Sequence, residues 1–327
     1  MLFDLVKLAF GVVAGAGALV ALVVAYRLQR VDEDGALREA TRLHTERFTA
    51  AVGQLGDASA AVRLGGVHAL AGLADDAPTR ELRQTCIDVL CAYLRLPYTA
   101  EADLPTGDAE ARHTYMALRE VRHTIIRLIR DHLRLNFRHP RTWQRHNFDL
   151  TGVVFDGGDF AEAEFFWGTT VSFDGAEFSG GKVYFNRAEF TGGTVTFVDA
   201  KFSGGGVYLV DAKFSDSMVN FGRAKFSAGQ VFFVDAEFSN GTVYFGQAKF
   251  SGGEANFIGA KLSGGLVDFD GAEFSGSRVT FGLATFSGST VRFDGATGTA
   301  PLNLVPPNTA PLPAGLTVPG TWRTTGP

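Results

Sequence analysis

The sequence predicts a β-solenoid: a four-sided parallel β-helix, preceded by an N-terminal transmembrane helix and a small α-helical region. Three observations carry this reading. Between Phe173 and Phe293 a large apolar residue, nearly always Phe, recurs at alternating steps of five and seven. Ahead of that array lie amphipathic stretches with helical spacing, and ahead of those an uncharged apolar run. The predicted units are residues 1–30 (transmembrane anchor), 31–140 (α-helical region), 148–298 (β-helix) and 299–327 (Pro-rich tail).

The anchor rests on residues 8–26, LAFGVVAGAGALVALVVAY, which hold no charge. As a helix this run reaches about 28 Å, close to the ~30 Å of a hydrocarbon core. A cleaved signal peptide is the alternative, with Val23-Val24-Ala25 as the cleavage site. The run is longer than a usual signal core, and Arg27 and Arg30 come directly after it. With Arg38 and Arg42 they make the downstream side the basic one. The expected location is therefore the cell membrane, single-pass, with the bulk of the chain cytoplasmic. Gly11-Val-Val-Ala-Gly15 is a GxxxG pattern, common by chance in a span rich in small residues.

The helical region reads as four helices. A polar one occupies residues 36–55. Asp57 or Ser59 caps the next, where Val62, Gly66, Leu70 and Leu73 share a face; Asp57, Val62-Arg63, Ala69-Leu70 and Leu73 together resemble one HEAT repeat. A third carries Leu82, Cys86, Val89, Leu90 and Tyr93. After a loop at 97–107 a long helix sets Leu118, Val121, Ile125, Ile129 and Leu133 against Arg119, Arg122, Arg127 and Arg130. That basic side reads either as a solvated face or as one drawn to anionic lipid headgroups. Cys86 and Cys91 read as buried free thiols.

The repeat unit is twelve residues, V-x-F-x-x-A-x-F-S-G-G-x, broken in its Val half only at Ala255. V-x-F and A-x-F alternate in facing, as short strands do, and lack the three- and four-residue spacing of a helix. Ser-Gly-Gly supplies a corner that accepts positive φ. Two three-residue strands enclose no interior, so one turn needs two units, or 24 residues. Tyr184, Tyr208 and Phe232 then form an outward aromatic column, and Glu189, Lys213, Glu237 and Lys261 a ladder of alternating sign. The column Glu177, Lys201, Lys225, Lys249, Glu273 alternates less well.

Just upstream, Leu150, Phe155, Phe160 and Phe165 are spaced by five, within Asp149-Leu-Thr-Gly-Val, Val154-Phe-Asp-Gly-Gly, Asp159-Phe-Ala-Glu-Ala and Glu164-Phe. Here the chain resembles the pentapeptide-repeat family, in a membrane-anchored bacterial form. The resemblance implies a right-handed, four-sided β-helix. The twelve-residue units depart from the family pattern by two inserted residues.

Of 29 Phe residues, 25 lie between Phe148 and Phe293, so the stack should hold without disulfides. Beyond Pro301 the chain turns rich in Pro, Thr and Gly. An extended or disordered tail is expected, from which Leu304 and Trp322 fold back over the last coil. Trp143 and the preceding helix are expected to cover the other end.

No constellation for chemistry emerges. The seven histidines form no HExxH site, Gly180-Gly181-Lys182 lacks the spacing of a phosphate loop, and Gly204-Gly205-Gly206 lacks the Asp of a calcium-binding repeat. No catalytic, cofactor-binding or metal-binding residue is assigned, and the chain is expected not to be an enzyme. The expected function is a membrane-anchored, non-catalytic scaffold for an unknown protein partner, with no nucleic acid bound. The alternative is a duplex-DNA mimic that binds a topoisomerase. Between Asp149 and Asp294 there are 18 acids and 10 bases, net −8. Five of those acids (Asp149, Asp156, Asp159, Glu162, Glu164) come before any base, so the remainder nets only −3. Duplex DNA carries one charge per ~1.7 Å, which favours the scaffold.

Overall fold

The computed structural model describes the backbone of residues 2–306 and 311–324, and the side chains of residues 21–101, 103–306 and 311–323. Residues 147–298, with the strand Leu316–Thr317, form a parallel β-solenoid of about seven turns with four sheets. The sheets hold eight, seven, six and six strands, each of two or three residues. Beyond the first turn, and up to the pairing of Glu273 with Thr297, the strands of the repeat pair at an offset of 24: Val219 faces Val243, Phe226 faces Phe250, Val231 faces Ala255 and Phe238 faces Leu262. The four rings Phe221, Phe226, Phe233 and Phe238 occupy the four interior sides of one coil and are all buried.

Like rings stack along the axis. Phe226 lies 4.6 Å from Phe202 and 4.5 Å from Phe250, with planes within 5° of parallel. Except beside Leu209 and Leu262, each ring inside the stack meets its own kind above and below, and each contact removes apolar surface from water. The five-residue segment fits beneath the twelve-residue one: Phe155 pairs with Phe178 and Phe165 with Phe190, at offsets of 23 and 25. The shorter repeat therefore has the same inward phase as the longer one.

Corners differ from expectation in one respect. Positive φ falls in the Ser-Gly-Gly turn, as at Gly181 and Gly205, both at 63°. It also falls between Phe and Ala, where Arg187, Asp199, Asp211, Arg223 and Asp235 take 54–58°. At Gly181 an added Cβ would lie 2.0 Å from the Asp156 carbonyl oxygen of the coil below, so close stacking excludes a side chain there.

Four helices precede the solenoid: α1 (Leu2–Leu55), α2 (Ala60–Asp75), α3 (Arg80–Arg95) and α4 (Ala109–Leu133). Thr79 caps α3 by accepting from the Leu82 amide at 3.3 Å, and Asp108 caps α4 by accepting from Ala111 at 2.9 Å. Ser59 caps α2 without a side-chain bond; its own amide donates to Asp57. The end of α1 packs on α2, where a Cβ on Gly66 would meet the Leu55 nitrogen at 2.6 Å.

The expected membrane anchor is corrected by this arrangement. Among the described residues no helix is long and apolar enough to cross a membrane. Most of the predicted span falls on residues 8–20, whose side chains lie outside the described residues. Of the apolar run only residues 21–26 remain before Arg27, Arg30, Asp32, Glu33 and Asp34, and the helix continues through these charges unbroken to Leu55. The single-pass location, with the bulk of the chain cytoplasmic, falls with the anchor.

The C-terminal segment closes the far end. Leu316–Thr317 adds a strand beside Val291 and Arg292, and α5 (Gly320–Thr324) carries Trp322 over the last rings. The indole sits 5.6 Å from both Phe274 and Phe293 and donates to the Gly298 carbonyl at 2.9 Å. Leu304 is buried as well.

Candidate functional site

The most elaborate polar assembly joins α3 and α4 to the first coil. It is built from the two features that the sequence presents separately: the basic side of α4 and the five acids that precede any base. Asp156 sits at its centre, 5 % exposed. Its Oδ2 accepts from the hydroxyls of Tyr98 and Tyr115, each at 2.6 Å, and lies 3.5 Å from Arg119 Nε. His123 Nε2 lies 3.4 Å from Oδ1. Burial pushes this carboxyl up, but the bonds from His123, Tyr115 and Tyr98 together outweigh it and hold the group at about 2. The same contacts, after burial itself, push both tyrosines well above their ordinary range.

The neighbouring acids are answered in the same way. Asp149 pairs with Arg95, Asp159 with Arg130, and Glu162 with both Arg134 and Arg187. Glu164 accepts from Gln144 Nε2 at 3.2 Å. Arg122 is buried across the seam: its two terminal nitrogens donate to the carbonyls of Leu94, at the end of α3, and Val154, in the first coil, at 2.7 Å each. Its guanidinium lies 4.1 Å from the Tyr98 ring centre, and burial lowers its pKa.

Backbone edges of the first coil are satisfied by side chains. Gln84 donates to the Asn147 carbonyl at 2.8 Å and accepts from the Asn147 amide at 2.9 Å, standing in for a lower strand. Arg83 donates to the carbonyls of Ala74, Asp75, Pro140 and Thr142. Trp143 is fully buried, stacks on His132 at 4.0 Å and donates to Asp75 at 3.3 Å. His146 is buried near Arg80 and Arg83; desolvation first, then those two charges, lower its pKa to about 4.

A cleft of about 420 Å³ opens beside Asp156, lined by Arg119, His123, Arg127, Asp159, Lys182 and Tyr184 with Gly157 and Gly158. Its cations are mostly spoken for: Arg119 faces Asp156, and Arg127 donates to Glu120 at 3.0 Å. Among the described residues no group of His, Cys, Asp and Glu could hold a metal ion. Burial pushes the Cys86 thiol up to about 11 and Cys91 to about 12, so both are poor nucleophiles. The chemistry of this assembly is that of a joint.

The basic side of α4 turns largely onto the first coil: Arg119, Arg122 and Arg130 contact it, while Arg127 stays exposed and pairs with Glu120 on the helix. Tyr98 and Tyr115 carry no sequence signal of their own. The signal lay in the complementarity between an acid-only stretch and a basic helix face. No family model, curated protein or solved structure matches the chain.

Proposed function

We propose that the chain is a non-catalytic protein-interaction scaffold, built on a twelve-residue variant of the pentapeptide repeat. The observation that carries this reading is the fixed 24-residue register, which sets outward side chains in straight rows on flat faces. Tyr184, Tyr208 and Phe232 stack in one such row at 5.3 and 5.1 Å. Glu189 pairs with Lys213, and Glu237 with Lys261, each at 2.8 Å along another. Such rows are held rigid by the aromatic interior, so a partner that binds them loses little entropy in ordering them.

Duplex-DNA mimicry draws no support from the charges. The acids richest for that purpose, from Asp149 to Glu162, are engaged by arginines of the helical region or of the next coil. The test is a topoisomerase supercoiling assay at low salt, alongside crosslinking with mass spectrometry in the source cells. No inhibition, with a defined protein crosslinked to a solenoid face, is expected. Potent inhibition at low salt would overturn the scaffold reading.

A further inference from the structure

The cations at the joint have partners; three of those on the loop leaving it form no ion pair among the described residues. Between α4 and the first strand, residues 134–145 read RLNFRHPRTWQR, with four arginines and no acid. Arg134 pairs with Glu162. Arg138, Arg141 and Arg145 are exposed and form no ion pair among the described residues. Arg80 joins them, donating to the Arg145 carbonyl.

Aromatic rings stand among these charges. Phe137 and Phe166 stack at 5.2 Å, with Arg138 5.2 Å from the Phe137 ring centre. Next in sequence, Trp167 is 54 % exposed. A Cβ on Gly168, one residue on, would lie 3.9 Å from the Arg145 side chain, so the rings and the cations adjoin in one patch. The corner Phe166-Trp167-Gly168 lies where later coils carry Thr191-Gly192, Ser215-Asp216 and Ser239-Asn240. One face of Trp167 lies against Gly192, where a Cβ would meet the ring at 2.2 Å. That contact accounts for one face of the indole and leaves the rest in water.

The patch is also rigid. Thr142, Trp143 and Gln144, between the exposed arginines, are buried. Gln144 donates to Leu133 and Leu135, and Arg83 to Pro140 and Thr142. Exposed Trp, Phe and Arg on a preordered backbone are the composition of binding hot spots.

We propose that this patch is the docking surface for an acidic segment of a protein partner, one that places an apolar side chain against Trp167 and carboxylates on Arg138, Arg141 and Arg145. The proposal rests on the scaffold reading and locates its partner surface. Charge complementarity selects an anionic partner. Phe137 and Phe166 are stacked on each other, which leaves the indole as the most exposed ring of the patch; a row of stacked bases would need several such rings.

The test uses the full chain and a fluorescein-labelled peptide that alternates glutamate with leucine, read by anisotropy. Binding should weaken steeply with salt, and at least tenfold in Trp167→Ser and, independently, in Arg138→Glu/Arg145→Glu. Lys225→Glu, on a distant coil, should leave it unchanged. Circular dichroism would check that each variant is folded; Arg138 and Arg145 are both exposed. Equal binding of a lysine–leucine peptide, or unaltered binding by both variants, would overturn the assignment. So would tighter binding of single-stranded DNA of equal charge. A partner crosslinked in cells to the Tyr184–Phe232 row instead would sink this surface while leaving the scaffold reading intact.

Discussion

Replacing Asp156 by Asn tests the joint between the helical region and the solenoid. The amide keeps the shape of the carboxylate and removes its charge. The structure sets the magnitude. The Asp156 carboxyl is held at about 2 against an ordinary 3.8, so the folded protein prefers its ionised form by nearly two pKa units. At 1.36 kcal/mol per unit this is roughly 2–3 kcal/mol, or about fifty-fold. Local stability is the relevant readout, because a solenoid can lose its end without unfolding throughout. Amide hydrogen exchange followed by mass spectrometry should show α4 and the first coil exchanging about fifty-fold faster in Asp156→Asn, with coils beyond residue 240 unchanged. Exchange in α4 that is unaltered, or faster equally in every coil, would refute the reasoning.

Acid should loosen the joint in two steps. His146, held near 4, binds its proton more readily when unfolded, so its share of stability is full above about 6.5 and lost as pH falls towards 4. Asp156, also depressed on folding, contributes fully above about 4 and loses that share as pH falls through 2; urea midpoints between pH 8 and 2 should show both declines. Phe226→Ala, which opens a gap between Phe202 and Phe250, should cost roughly 3–5 kcal/mol in urea unfolding, whereas Lys225→Asp, one residue earlier and between Lys201 and Lys249, should cost less than about 0.5. Trp322→Ala should uncover Phe274 and Phe293, seen as exchange of the last coil at least tenfold faster and as new binding of an apolar dye.

The solenoid was legible because its determinant is local and repeated. Each Phe announces an inward side chain, and the five–seven spacing fixes the facing whatever the rest of the chain does. Even the capping roles of Leu304 and Trp322 came from the need to cover an apolar end. The joint was not legible. Arg119 and Asp156 are 37 positions apart, and nothing in either neighbourhood says which way the basic face of α4 turns; that is decided by Val121, Ile125 and Ile129 packing on the other side. The unpaired arginines of residues 138–145 were equally hidden, since a charge run does not reveal which members will find partners. The apolar run at residues 8–26 is a different case: only its residues 21–26 have described side chains, and among the described residues no helix is long and apolar enough to cross a membrane.

The central claim is a coil of 24 residues whose outward side chains stand in rows, and zero-length crosslinking tests it directly. A carbodiimide joins a lysine to a carboxylate only where the two already touch. Treated native protein, digested and read by mass spectrometry, should yield Lys213–Glu189 and Lys261–Glu237, each pair 24 apart and 2.8 Å between charged atoms. Crosslinks between Lys201 and Glu189, or Lys249 and Glu237, each 12 apart, would place one repeat per turn and contradict the four-sided coil.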